Sequence, residues 1–372
     1  MNSKEQTMAI TELEETIVKE IEEQRPPFPV GLLSRREKDL LIERGLVGLY
    51  RWYTDRSQTT RNWSADTSFD WRAFRTDHSP EMNTLLEGFF AIEQFVVDYT
   101  IKTIQEVRES YGRSHFQIRW GAEEERHSDV WLNTLLFSRH RSPEWIEDYI
   151  HTLRTGEWMV PWDDPIHMAC YVVIQERATQ INYVNMALAA RGQNENPVFV
   201  NDVDPVLEEV AKKLVLDEAA HYSFFLEVLR MHLYYYPAQT LDALFDTVEH
   251  FVMPALDLHP YGDAFNEALY RYGIYGPRHY ASDVLRFALN GLGISNKRAL
   301  ERGVKRSRLV PDDDGNLRET AFFDSLDYDK VEADVKKIFG RIQRYEQDIG
   351  LDEVYPTHFV PSGLKEYISN QP

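Results

Sequence analysis

Glu218-Ala219-Ala220-His221, together with Glu124-Glu125-Arg126-His127, decides how this 372-residue chain folds. Residues three apart on an α-helix share a face, so in each stretch a carboxylate and an imidazole project the same way, within reach of one metal ion. Of the twelve histidines, only His127 and His221 have a glutamate three positions earlier. Trp120 and Trp131 flank the first pair at helical spacing, and Leu214, Val215, Tyr222 and Phe225 flank the second. Each motif glutamate also follows another acid, Glu123 and Asp217, suited to grip a ligating imidazole from behind. Two such segments could hold two metals.

Ferritin-like bundles complete a set of this kind with one further glutamate from each of two other helices. Segment 166–190 offers Glu176, surrounded at helical spacing by Ala169, Val172, Val173, Thr179, Tyr183 and Ala187, with only Gln180 breaking the apolar face. Segment 85–107 offers Glu87 and Glu93 on different sides of a helix. Glu93 sits among Leu86, Phe89, Phe90, Val96, Val97, Thr100, Ile101 and Ile104, whereas Glu87 shares its side with Asn83, Gln94 and Asp98. Glu93 is therefore the inward one, and an ionised carboxylate there is costly unless paired, protonated or metal-bound. Glu93 and Glu124 are 31 residues apart, Glu176 and Glu218 42, each enough for an antiparallel helix pair and its loop. The expectation is an all-α, ferritin-like di-iron helical bundle with additional helices.

The rest of the chain fits that frame. Residues 1–30 read as an acidic N-terminal arm, 31–350 as one domain and 351–372 as an irregular tail. Ser34 and Glu37 form a capping box for a helix to about residue 53. Residues 54–78 are polar and turn-rich but carry Trp63, Phe69, Trp71 and Phe74. Helices are expected near 80–110, 115–139, 165–191 and 205–236, with a crossover helix capped at Ser142-Pro143. Further helices follow near 238–252, 264–273, 278–290, 295–306 and 328–348, with a turn cluster at 311–315, and strand signals are nearly absent.

A 43% hydrophobic, 13% aromatic composition can bury a large core. A formal charge of -20 weighs against nonspecific nucleic-acid binding. The one cysteine, Cys170, excludes an intramolecular disulfide and suits a reducing, cytoplasmic setting. No window approaches the length of a membrane span, and residues 1–24 lack the composition of a signal or transit segment. Whatever the site oxidises is expected to reach it in solution.

Specific motifs add a resemblance. Ala122-Glu123-Glu124-Glu125-Arg126-His127 resembles the AEENRH of the soluble acyl-acyl-carrier-protein desaturases, Gln175-Glu176-Arg177-Ala178-Thr179 is their QERAT, and Asp217-Glu218-Ala219-Ala220-His221 resembles their DEKRH. Met253-Pro254, and Tyr275-Gly276 through Tyr280 to Phe287, echo their later helices, so the likeness covers roughly residues 35–350. It implies iron ligation by Glu124, His127, Glu176, Glu218 and His221, with Glu93 following although the nearby loop is shorter than in plant members. It further implies two ferrous ions per chain, O2 as co-substrate, a carrier-protein-bound saturated acyl chain as substrate, a ferredoxin-type donor and a homodimer. Ala219 and Ala220 replace the family's Lys-Arg, which leaves the metal set intact and bears on how the carrier docks.

Other residues carry a functional and a plainer reading side by side. Trp63 is an electron-relay candidate on a path through a ligand histidine, or a packing residue. Thr179, one turn after Glu176, could deliver protons to bound oxygen, or bond back to its own helix. Lys297, Arg298, Arg302, Lys305, Arg306 and Arg308, opposed only by Glu301, could steer an acidic carrier or form a solvated helix face. A related di-iron oxygenase, hydroxylating or N-oxidising a carrier-bound or free small molecule, would use the same ligands. A ribonucleotide reductase radical subunit usually has a Tyr where this chain has Trp131, which argues against that class.

Overall fold

The structure, a computed structural model, describes residues 30, 33–307 and 322–354. The N-terminal arm, the turn cluster at 311–315, Arg308 and the tail from residue 355 lie outside the described residues. Among the described residues every regular element is helical. The chain divides into two compact units, one of Met1–Leu49, Leu226–Glu249 and Leu289–Pro372, the other of Tyr50–Phe225 and His250–Ala288. All six expected ligands fall in the second.

The long helices are α1 (Arg35–Thr60), α2 (Pro80–Glu93), α3 (Val96–Glu106), α4 (Tyr111–Ser138), α5 (Pro143–Leu153), α6 (Pro165–Ala190) and α7 (Pro205–Tyr235). Beyond them come α8 (Pro237–His250), α9 (Gly262–Arg271), α10 (Lys297–Ser307) and α11 (Tyr328–Asp348), with a π-helical stretch at Tyr280–Leu285. Four starts share one device, a polar cap followed by proline at the first helical position. Ser79, Ser142 and Asp164 accept from Met82 N, Trp145 N and His167 N, and Asp204 accepts from both Val206 N and Leu207 N. The proline has no N–H to strand and its φ is already helical, while the cap satisfies a donor that would be orphaned. The capping box at the head of α1 is present: Ser34 N donates to Glu37 Oε2 at 2.8 Å, and Glu37 N to Ser34 Oγ at 3.4 Å.

Two expectations on element boundaries are corrected. Helix α1 continues to Thr60 rather than stopping near 53, which puts Tyr53 and Ser57 one turn apart on a face that is buried. The expected single helix over 80–110 is broken at Gln94-Phe95 into α2 and α3. The break resets the helical phase, so Val97 and Ile101, expected beside Glu93, are 46% and 48% exposed.

Within the second unit, close helix contact depends on two glycines. A Cβ on Gly121 of α4 would lie 2.5 Å from the Thr100 side chain of α3, and one on Gly88 of α2 would lie 2.0 Å from the Phe265 ring of α9. Backbones approach here because nothing projects between them. In the first unit, Arg44 forks onto Glu346 with its Nη2 at 2.6 Å from Oε1, and Arg341 Nη1 lies 3.0 Å from Glu227 Oε1. Such two-pronged pairs fix helix register by geometry as well as charge.

Candidate metal centre

Four helices of the second unit deliver six buried side chains to one place. Glu124, Glu176, Glu218 and His221 form one group whose donor atoms lie within 4.8 Å of one another, and Glu93, Glu124 and His127 form a second. The groups overlap at Glu124. Its Oε2 is 3.2 Å from His127 Nδ1 and its Oε1 2.9 Å from His221 Nδ1. Glu218 spans the same gap, 3.3 Å from His127 Nδ1 and 3.8 Å from His221 Nδ1. Glu176 Oε2 reaches only the His221 side, at 3.3 Å. The two groups therefore overlap at Glu124, and Glu218 faces both imidazoles, with Glu93 on the His127 side and Glu176 on the His221 side.

The donor atoms point at a common centre rather than at each other. Glu124 Oε1, Glu176 Oε2, Glu218 Oε2, His127 Nδ1 and His221 Nδ1 are buried, and despite the short separations none meets hydrogen-bond geometry. Buried polar atoms are normally satisfied, so this convergence fits a pair of cations held between the helices. The electrostatics agree. Burial, then the charge of Glu124, pushes the Glu93 carboxyl up to about 8, and burial with Glu218 pushes Glu176 well above its usual range. Burial would also raise Glu124, but the facing His127 and His221 imidazoles reverse that and draw it down to about 2.

Each imidazole is gripped from behind by the acid of the opposite motif. Glu123 Oε2 accepts from His221 Nε2 at 2.9 Å, and Asp217 Oδ2 faces His127 Nε2 more loosely at 3.5 Å. A carboxylate on Nε2 fixes the proton there and turns the Nδ1 lone pair inward, the state a metal needs. The gripping acids are themselves held. Glu123 accepts from Tyr53 Oη at 2.5 Å, from Ser57 Oγ, and from Arg119 Nε at 3.2 Å. Asp217 accepts from Trp63 Nε1 at 2.8 Å and Arg126 Nη2 at 3.0 Å, and Arg61 Nη1 sits between the two acids, 3.4 Å from Glu123 and 3.1 Å from Asp217.

The remaining candidates separate clearly. Glu87 lies elsewhere, held by Arg141 Nε at 2.7 Å and facing His140 Nε2 at 3.3 Å. Trp63 is buried, bonded to Asp217, and stacked on His127 with ring centroids 6.4 Å apart and planes 12° apart. Thr179 donates to Gln175 O at 3.1 Å. Sequence reasoning did not assign roles to Trp120, whose Nε1 donates to Glu176 Oε1 at 3.1 Å, or to Tyr183, whose hydroxyl donates to Glu93. Both were visible as inward positions at helical spacing from a ligand. Arg61 and Ser57 carried no such signal.

A sequence model of the family described as Fatty acid desaturase matches residues 96–310, beginning just after Glu93. The chain belongs to that family. Among curated proteins, the desaturase resemblance is local: acyl-[acyl-carrier-protein] desaturase 7, chloroplastic, of Oryza sativa subsp. indica and of subsp. japonica are each 30% identical over 126 residues, 34% of this chain and 29% of theirs. The matched region thus spans under a third of those relatives. Among solved structures, DesA2 from Mycobacterium tuberculosis gives a TM-score of 0.46 at 19% identity, covering 67% of this chain and 93% of that one. An R2-like ligand-binding oxidase with a reconstituted Mn/Fe cofactor gives 0.36 at 14%, covering 80% and 92%. Both scores are too low to carry an argument, and the desaturase assignment stands on the sequence match.

The basic stretch differs from its expectation in one respect. On α10, Lys297, Lys305 and Arg306 are neutralised by Glu249 at 2.6 Å, Glu301 at 2.5 Å and Asp324 at 2.6 Å, so three acids rather than one oppose it. Arg298 and Arg302 stay exposed. Among the described residues no helix is long and apolar enough to cross a membrane.

Proposed function

We propose that this protein is a di-iron oxidoreductase that uses O2 to introduce a double bond into a saturated acyl chain borne by an acyl carrier protein. The observation that carries the reading is the overlap of two buried carboxylate–imidazole groups in a chain of the fatty acid desaturase family. Hard oxygen donors with imidazole and no thiolate suit iron, and four carboxylates balance the charge of two ferrous ions. When bound, the ferrous pair would supply two electrons and open coordination positions for O2. The overall balance is one O2, two electrons and two protons from the acyl chain, and two electrons and two protons from outside, giving an alkene and two waters.

The chain's own residues have distinct tasks in this scheme. Glu93 with His127, and Glu176 with His221, would each help hold one ion, and Glu124 and Glu218, which face both imidazoles, would help hold both. Glu123 and Asp217 orient the imidazoles. Trp63, bonded to Asp217 and stacked on His127, offers an aromatic path for electrons from a ferredoxin-type donor. Thr179, one turn from Glu176, is the proposed source of protons. A single buried Cys170 fits a reducing cytoplasm, and the assembly is proposed to be a homodimer.

The test is a single turnover of the anaerobically iron-loaded, reduced protein with acyl-carrier substrates, followed by mass spectrometry of the acyl products. An alkene supports the proposal. An alcohol moves the protein to the related oxygenases, and unchanged substrate from fully loaded, oxidised protein refutes it.

A further inference from the structure

At the Glu93 end of the centre, an oxidisable pair of aromatic side chains is built into the core. Tyr183 Oη donates to Glu93 and accepts from Trp131 Nε1 at 3.3 Å. The two rings are tilted with centroids 5.6 Å apart, and Phe89 packs on both, stacked 5.1 Å from Trp131 and tilted 5.4 Å from Tyr183. Both Tyr183 and Trp131 are fully buried. Packing alone explains the stacking of apolar rings, but it does not require a phenol aimed at a carboxylate of the metal cluster and an indole N–H aimed at that phenol.

Tyrosine and tryptophan are the aromatic side chains most easily oxidised by one electron. Tyrosine does so readily only when a base takes its proton. The acceptor for that proton is in place: the Glu93 carboxyl takes the phenol hydrogen bond, and cations held at the centre would keep it ionised.

We propose that Tyr183, backed by Trp131, is an internal one-electron reductant that quenches the centre when O2 has oxidised it with no acyl chain present. The inference rests on the oxygen-dependent reading above and adds a protective activity to it. With an oxidised metal pair bound, Tyr183 would give up one electron to it while its phenolic proton moved along the existing bond to Glu93, leaving a neutral phenoxyl radical. Trp131 then passes one electron and its Nε1 proton to the Tyr183 oxygen, which restores the phenol and leaves a neutral indolyl radical. One oxidising equivalent is consumed and the ligands are spared. The second returns through the external donor.

The test uses the full-length protein, loaded with ferrous iron, reduced and mixed with O2 without acyl substrate, then frozen for electron paramagnetic resonance. Ring-deuterated tyrosine and ring-deuterated tryptophan, incorporated separately, assign the signal without any mutation. The expected result is an organic radical whose hyperfine structure narrows with one or both labels, and which disappears in Tyr183→Phe at unchanged iron content. Peptide mass spectrometry after repeated cycles should find oxygen addition on the peptides holding Tyr183 or Trp131 in preference to those holding Trp120 or Trp63. No radical and no such modification, in protein that converts acyl-carrier substrate to alkene, overturns this inference while the proposed function stands. A radical at these residues in protein that yields no alkene supports the inference and sinks the substrate assignment instead.

Discussion

Glu123→Gln should weaken the metal site of the other motif, not its own. Glu123 neighbours Glu124 in sequence, yet its carboxylate grips His221, which shares its end of the centre with Glu176. Removing the carboxylate that orients a ligating imidazole typically lowers metal affinity ~10–100-fold, which is about 1.4–2.8 kcal/mol at one pKa-unit equivalent per decade. Fold stability should fall too. Arg61 keeps Asp217 at 3.1 Å and Arg119 is partly exposed, but the amide weakens charge-assisted bonds worth about 1.5–3 kcal/mol each. The assay is anaerobic ferrous titration against a competing chelator in two backgrounds. With Glu93→Gln, the surviving tight site is that of Glu176 and His221, and adding Glu123→Gln should cost the full ~10–100-fold. With Glu176→Gln, the surviving site is that of Glu93 and His127, and the same change should stay within the ~0.5 kcal/mol expected of independent positions. Equal losses in both backgrounds would refute the crossed arrangement.

Glu176→Ala should abolish tight binding at one of two iron sites, so metal analysis that still finds two irons per chain would count against the ligand set. Glu93→Gln should destroy turnover while Glu87→Gln, which loosens only the contacts to Arg141 and His140, should leave it mostly intact; the reverse would move the ligand nearly two turns along α2. Gly121→Val forces a branched side chain into the Thr100 contact and should cost about 1–3 kcal/mol in denaturant unfolding, as overpacking does. If α10 receives an acidic carrier, reversing exposed Arg298 and Arg302 to Glu should raise the apparent KM for carrier-bound substrate many-fold at low salt without changing iron loading, and unchanged carrier kinetics would remove the patch from the mechanism.

That these six side chains would meet was legible because helices repeat. A carboxylate and an imidazole three positions apart declare a shared face, and an acid inside an apolar stripe declares a buried one, so all six side chains could be named before their helices were seen together. What stayed hidden has two physical causes. The break at Gln94-Phe95 carries neither Gly nor Pro, and Val96 and Val97 continue the apolar run, so local pattern could not show the phase reset that exposes Val97 and Ile101. The network behind the imidazoles is long-range. Arg61 meets Glu123 across 62 positions and Asp217 across 156, from a segment whose composition reads as loop.

That network explains why the inner carboxylates are left for metal. Glu123 and Asp217 are buried acids, but each has cations of its own: Arg61 serves both, Arg119 the first and Arg126 the second. Burial and neutralisation of these outer acids are therefore complete without any ion. Among the described residues no arginine or lysine pairs with Glu93, Glu124, Glu176 or Glu218, and the last three face the two imidazoles, whose Nε2 atoms already face the outer acids. Burial would lower the two imidazoles, but the carboxylates around them reverse that and hold both well above their usual range, so protons on the imidazoles and on the raised Glu93 and Glu176 carboxyls balance the inner charges of a dry core. Two divalent ions taken up between the helices would displace those protons. Metal uptake should consequently release protons, and a pH indicator in weakly buffered ferrous titrations should register that release with the native chain and lose much of it in Glu176→Gln, since an amide has no proton to give up.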